Sequence, residues 1–202
     1  LIPVNSIGFK IVKFLAHILC WGPFGWLFYA AANAQLGGDP QDEVLHQLGY
    51  WGMIFLLLSL TMTPLKKLIT GVPWVRFRRM LGLYGAFYGL LHLTMFVVFH
   101  LQFSFAALWT EIVERPYITV GMLAILGLIP LAVTSTKYSQ RKLGKNWKKL
   151  HWLVYPIIVL VLTHYIWQSK SDLNGPFIYL SWMIVLLGMR LYSYYKNKNH
   201  FA

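Results

Sequence analysis

Imidazole can hold a metal or carry a proton near neutral pH, and two of the seven histidines in this 202-residue chain frame one apolar stretch, KNWKKLHWLVYPIIVLVLTHYIW, from Lys145 to Trp167. His151 stands at its basic, tryptophan-containing end and His164 near its far end. Ring nitrogens inside a hydrocarbon-length segment are costly unless something binds them. The helix between them spans about 20 Å, most of the way across a bilayer core of about 30 Å. On an ideal helix the two also differ by roughly 140° in azimuth. Either Pro156 distorts the helix between them, or they serve differently placed sites.

A third histidine closes a second pattern. In RRMLGLYGAFYGLLHL, Gly82, Gly85, Gly89 and His92 follow one another at intervals of three, four and three, so they share about one quadrant of a helix. A strip without side chains leading to an imidazole describes a flat slot with a ligand at one end. The same glycines also let neighbouring membrane helices approach closely. His92 and His164 fall about twelve and about fourteen residues into spans that run the same way, so their rings are expected at similar depth. There they can face each other as the axial ligands of one heme, in the outer half of the membrane. Such a pair keeps iron six-coordinate and suits electron transfer. Each ring needs an acceptor for its other N–H, and Thr94, Thr163 and backbone carbonyls are the candidates.

These side chains need helices that cross a membrane, and the composition demands the same. With 57% hydrophobic and 12% charged residues and a mean hydropathy of +0.55, the chain has too little polar surface to cover a soluble globule. The expected fold is all-α, a single domain over 1–202, with six spans at roughly 9–31, 46–65, 80–101, 117–135, 150–168 and 177–195. GGDP at 37–40, TP at 63–64, GVP at 71–73, RP at 115–116 and NGP at 174–176 mark the breaks. The first run exceeds a signal-peptide core and lacks a small-x-small cleavage site, so it is expected to remain as a span. All of the 18 lysines and arginines except Arg115 and Lys170 fall on one side of this arrangement, which puts both termini in the cytoplasm. The six acids, Asp39, Asp42, Glu43, Glu111, Glu114 and Asp172, fall on the other. Topology thus accounts for the net charge of +12 without nucleic acid. A lone Cys20 excludes an internal disulfide and a Cys-ligated cluster, and loops of about 15 residues or fewer leave no room for a dinucleotide-binding unit.

The inner end offers a second candidate site. His17 on the first span lies near the level of His151, so the two, or His151 with a weaker partner, can hold a second heme; a quinone or flavin is the competing occupant. Arg76 and Arg79, with the basic Lys145–His151 segment, offer cations for heme propionates, a flavin phosphate or an acidic partner, although topology signalling also explains them. His46 is placed for outer-face docking or proton handling, and His100 and His200 are expected to be solvated. The nine tryptophans and twelve tyrosines read chiefly as interfacial belts.

RFRRMLGLYGAFYGLLHL, VTSTKYSQRKLGKNWKKLHWLVY and THYIW, with KFLAHILCWGP, HQLGYWG, TMTPL and ERPYITVG, resemble the ferric-reductase-type transmembrane domain. More narrowly, they are similar to MsrQ, the family of heme-binding membrane subunits of bacterial periplasmic methionine sulfoxide reductase systems. The resemblance implies that His92, His151 and His164 are heme-associated and that the chain sits in the bacterial inner membrane. It further implies b-type heme, an FMN in some members, and electron flow from quinone or a cytosolic flavin reductase to a periplasmic molybdopterin-containing catalytic subunit. NADPH oxidases of the wider superfamily carry two bis-histidine hemes, whereas here Phe105 and Ala106 occupy the positions thirteen and fourteen residues beyond His92. One heme at His92 and His164 is therefore expected. Two other readings compete: a cofactor-free histidine relay or transporter built on His17, His92, His151 and His164, and a free-standing ferric reductase.

Overall fold

The computed structural model describes residues 7–169 and 174–199. Readings made on Lys170, Asp172 and His200 lie outside them. The described chain is helical, without a strand, and has six helical segments long and apolar enough to cross a membrane: 7–32, 40–68, 74–100, 116–133, 145–168 and 175–196. It is a multi-pass membrane protein.

α1 (Ile7–Ala32) packs on α2 (Pro40–Leu68) and α3 (Trp74–Met95). α2 begins six residues before the expected span because the GGDP segment opens the helix as well as ending the loop. The Asp39 carboxylate accepts from the Gln41 and Asp42 N–H groups, and Pro40 occupies the first turn, where no N–H is needed. The helix also runs through the TP at 63–64 instead of stopping there. Pro64 has no N–H to give the Leu60 carbonyl, and the Arg190 guanidinium supplies that donor instead, at 2.9 Å. A related repair occurs in α1 beside Pro23. The buried Tyr88 hydroxyl donates to the Cys20 carbonyl at 2.8 Å and accepts the Phe24 N–H at 3.1 Å, bridging a backbone pair that an unbroken helix would close directly.

α3 continues into a wider π turn, Phe96–His100. The connection that follows carries α4 (Phe105–Glu114), whose Phe105, Trp109 and Val113 face outward in one stripe. α5 (Pro116–Val133) leads to two short basic helices, α6 (Lys137–Leu143) and α7 (Lys145–His151). α7 stops at His151, and α8 (Val154–Gln168) starts afresh after a turn at Trp152–Leu153, so the distortion expected at Pro156 is a full break. α9 (Asn174–Asn199) packs on α2 and α8.

α2 is the central helix, half buried along its apolar window against 11% for α1. One of its faces meets α1 and α3 around Phe55, Met80 and Tyr88, and the other meets α5, α8 and α9 around Leu57, Ile158 and Leu162. The acidic ends of α2 and α4 lie at one end of the bundle with the far ends of α3 and α8. The basic residues of α6, α7 and the start of α3 lie at the other, the end expected to face the cytoplasm.

Candidate functional site

His92 sits in the last turn of α3 and His164 in the outer part of α8. Each is tethered to the backbone of a neighbouring helix. His92 Nδ1 lies 2.9 Å from the Leu45 carbonyl of α2, and His164 Nδ1 lies 2.7 Å from the Tyr117 carbonyl of α5. A carbonyl only accepts, so Nδ1 carries the proton in both rings and the Nε2 lone pair is the one left for a ligand. The acceptors are thus backbone carbonyls; Thr94 donates its hydroxyl to Leu90 of its own helix.

The same interval, 47 residues, separates carbonyl from imidazole in both cases. One turn beyond each carbonyl stands a glycine. A Cβ on Gly49 would come 3.0 Å from His92 Nδ1, and one on Gly121 would come 2.8 Å from His164 Nδ1. The α2–α3 and α5–α8 hairpins therefore present their histidines by one device used twice: a carbonyl that fixes the tautomer and a glycine that lets the ring lie flat against the opposing helix. Gly49, Gly121, Leu45 and Tyr117 were not among the expected site residues. Their signal was present as an equal spacing ahead of the two histidines.

The two hairpins bring the rings together. The centroids of His92 and His164 are 6.1 Å apart, with planes inclined at 77°. That separation suits two imidazole nitrogens bonded on opposite sides of one metal at about 2 Å each. Between them lies a cavity of about 270 Å³, lined by Gly49, Gly52, Gly85, Gly89 and Gly121 and closed inward by Leu56 and Leu128. Among the described residues no cluster of three or more His, Cys, Asp or Glu side chains converges, so a metal here needs further ligands of its own, as a tetrapyrrole provides. The glycine stripe of α3 serves packing as well as the slot. A Cβ on Gly85 would strike Leu56 at 2.8 Å, and Gly52 lies against the Gly85 and Gly89 backbone.

The cavity opens at the acidic end, among Asp42, His46, His100, Arg115 and Gln168. The π turn delivers His100, expected to be solvated, to Asp42 at 2.9 Å. His46 accepts from the Gln168 amide, and Arg115 pairs with Glu111 at 3.2 Å.

The inner candidates have other neighbours. His151 packs its ring 3.9 Å from that of Trp147, and neither of its buried nitrogens has a hydrogen-bond partner. His17 instead meets the Tyr84 hydroxyl at 2.9 Å, so the two histidines rest against different residues. Arg76 is exposed, with its guanidinium 5.8 Å from the Phe9 ring, and Arg79 is half-buried. The arginines gathered near His151 are Arg78 and Arg190, which both donate to the Tyr155 hydroxyl. The sequence reading passed over Arg190 as a topology charge, although its place within the last apolar span is itself a signal.

Comparison with known proteins agrees with this architecture. Residues 48–162 match the family model described as ferric reductase like transmembrane component. A protein of Xanthomonas oryzae pv. oryzae, named protein-methionine-sulfoxide reductase heme-binding subunit MsrQ, is 41% identical over 94% of this chain and 89% of its own length. The chain belongs to the MsrQ family. Its counterpart from Xanthomonas campestris pv. campestris is 43% identical over the same shares, and the MsrQ of Brucella ovis is 43% identical over 84% of this chain and 76% of its own. No solved structure matches the chain. The family match runs from within α2 to within α8, so it includes His92 and His151 and ends two residues short of His164.

Proposed function

We propose that this chain is a b-type cytochrome subunit that carries electrons across the bacterial inner membrane, with both termini in the cytoplasm. It passes them to a periplasmic molybdopterin-containing methionine sulfoxide reductase, in support of repair of oxidised periplasmic proteins. The observation that carries this is the facing pair His92 and His164, each with Nδ1 tethered and Nε2 directed to a shared cavity. The relatives named as heme-binding subunits support the cofactor. Bound there, heme supplies a one-electron iron couple. The chain's own residues would hold it: His92 and His164 would ligate its iron, the Leu45 and Tyr117 carbonyls would orient their rings, and the apolar wall would keep water out. No group of the chain acts on a substrate.

Electrons enter at the basic end, where His151, Arg78 and Arg79 stand, from quinol or from a flavin carried by a cytosolic reductase. FMN belongs to that end in this reading. They leave at the acidic end, whose Asp39, Asp42, Glu43 and Glu114 offer a docking face. The unpartnered nitrogens of His151 make it the candidate ligand for a second heme. The test is the absorption spectrum of purified full-length protein, with iron and porphyrin counted per chain. A Soret band and a reduced α band that vanish in His92→Ala and in His164→Ala are expected. Colourless wild-type protein after heme reconstitution would overturn the proposal and favour the cofactor-free relay.

A further inference from the structure

The cavity between His92 and His164 has unlike ends. Beyond the histidines its lining is Met53, Leu56, Ala124, Ile125, Leu128 and Val161, with no polar side chain. At the mouth it is ringed by Asp42, His46, His100, Arg115 and Gln168, and Tyr50, Tyr117 and Tyr165 also line the cavity. Buried carboxylates require donors, and the inner wall has none to offer. Arg115 is also out of place by the topology rule: among the described residues it is the one lysine or arginine at the end that holds Asp39, Asp42, Glu43, Glu111 and Glu114. Its side chain is about half exposed, pairs with Glu111 through one nitrogen and hydrogen-bonds the Tyr117 side chain, and a guanidinium has five N–H donors in a planar fork suited to carboxylates. The other carboxylate on the rim, Asp42, already faces His100.

We infer that the mouth of this cavity, centred on Arg115, is the subsite for the carboxylate edge of the tetrapyrrole, so that the macrocycle enters with its apolar edge toward Leu56 and Leu128. This rests on the heme reading of His92 and His164. Glu111 is then the internal competitor that occupies Arg115 until a propionate arrives.

The test is titration of heme-depleted full-length protein with hemin and with hemin dimethyl ester, which lacks the two charges, read by the low-spin Soret band. Wild type is expected to prefer hemin. Arg115→Gln should weaken hemin about tenfold and leave the diester unchanged, and Arg115→Lys should recover part of the loss. Glu111→Gln should act the other way, strengthening hemin alone, a sign that general damage to the fold would not give. Equal weakening of both forms by Arg115→Gln, or no change in either, would refute the subsite while leaving the histidine pair standing. Absence of any low-spin complex with either form in wild type would instead sink the bis-histidine reading, and this one with it.

Discussion

His164 and His151 belong to one membrane span, yet the first is gripped by the backbone of another helix and the second rests on a tryptophan ring with both nitrogens unpartnered. The outer pair is pre-organised: ring orientation and tautomer are set before any metal arrives, so binding needs little rearrangement. Around His151 the neighbours are cations, Arg78 and Arg190, brought together on Tyr155, while the carboxylates of the described residues lie at the opposite end. The difference separates a tethered, facing pair from a lone histidine whose nitrogens are open, as a second heme or an incoming donor would need.

The sharpest way to break this comparison is at the clamp itself. His164→Ala should abolish the low-spin pigment, whereas His151→Ala should leave at least half of the iron per chain and an unshifted low-spin signal from the outer pair, both read by spectroscopy on purified protein. Equal collapse in the two variants would erase the distinction between the ends. Next comes the glycine backing. Gly121→Ala places a Cβ 2.8 Å from His164 Nδ1, and its heme affinity should fall roughly 10- to 100-fold, as expected when the group orienting a ligand is disturbed. Gly49→Ala, with a contact of 3.0 Å, should cost less, and a titration of apoprotein ranks the two. The smallest effect belongs to the inner end. Arg190→Met leaves the Leu60 carbonyl without its donor and should lower stability by about 1–3 kcal/mol, seen as a lower melting temperature with the outer pigment spectrum intact.

Much of this was legible in the sequence. Six spans, the sidedness of charge and the equal depth of His92 and His164 follow from hydropathy, lysine and arginine placement and helix rise, all of which are local or additive along the chain. What escaped depended on partners distant in sequence. Pro64 reads as a stop because the replacement donor for Leu60 is Arg190, far off on α9. GGDP reads as a break, and its aspartate turned out to cap α2. The roles of Gly49 and Gly121 become visible only once α2 and α5 lie against the histidines they back. Thr94, Thr163 and backbone carbonyls were equal candidates by type, and only the packing shows that a carbonyl from the facing helix of each hairpin serves.

The hydrogen bond from Arg190 to Leu60 also bears on the order of assembly. Helices of a multi-pass protein emerge from the ribosome in sequence, so α2 enters the lipid with a carbonyl that proline has stranded, and its remedy lies on α9, synthesised more than 100 residues later. Until α9 docks, the nascent bundle carries that open defect. Truncating the chain before residue 190 is therefore expected to leave a product prone to degradation even though His92, His164 and the groups that tether them have already been made.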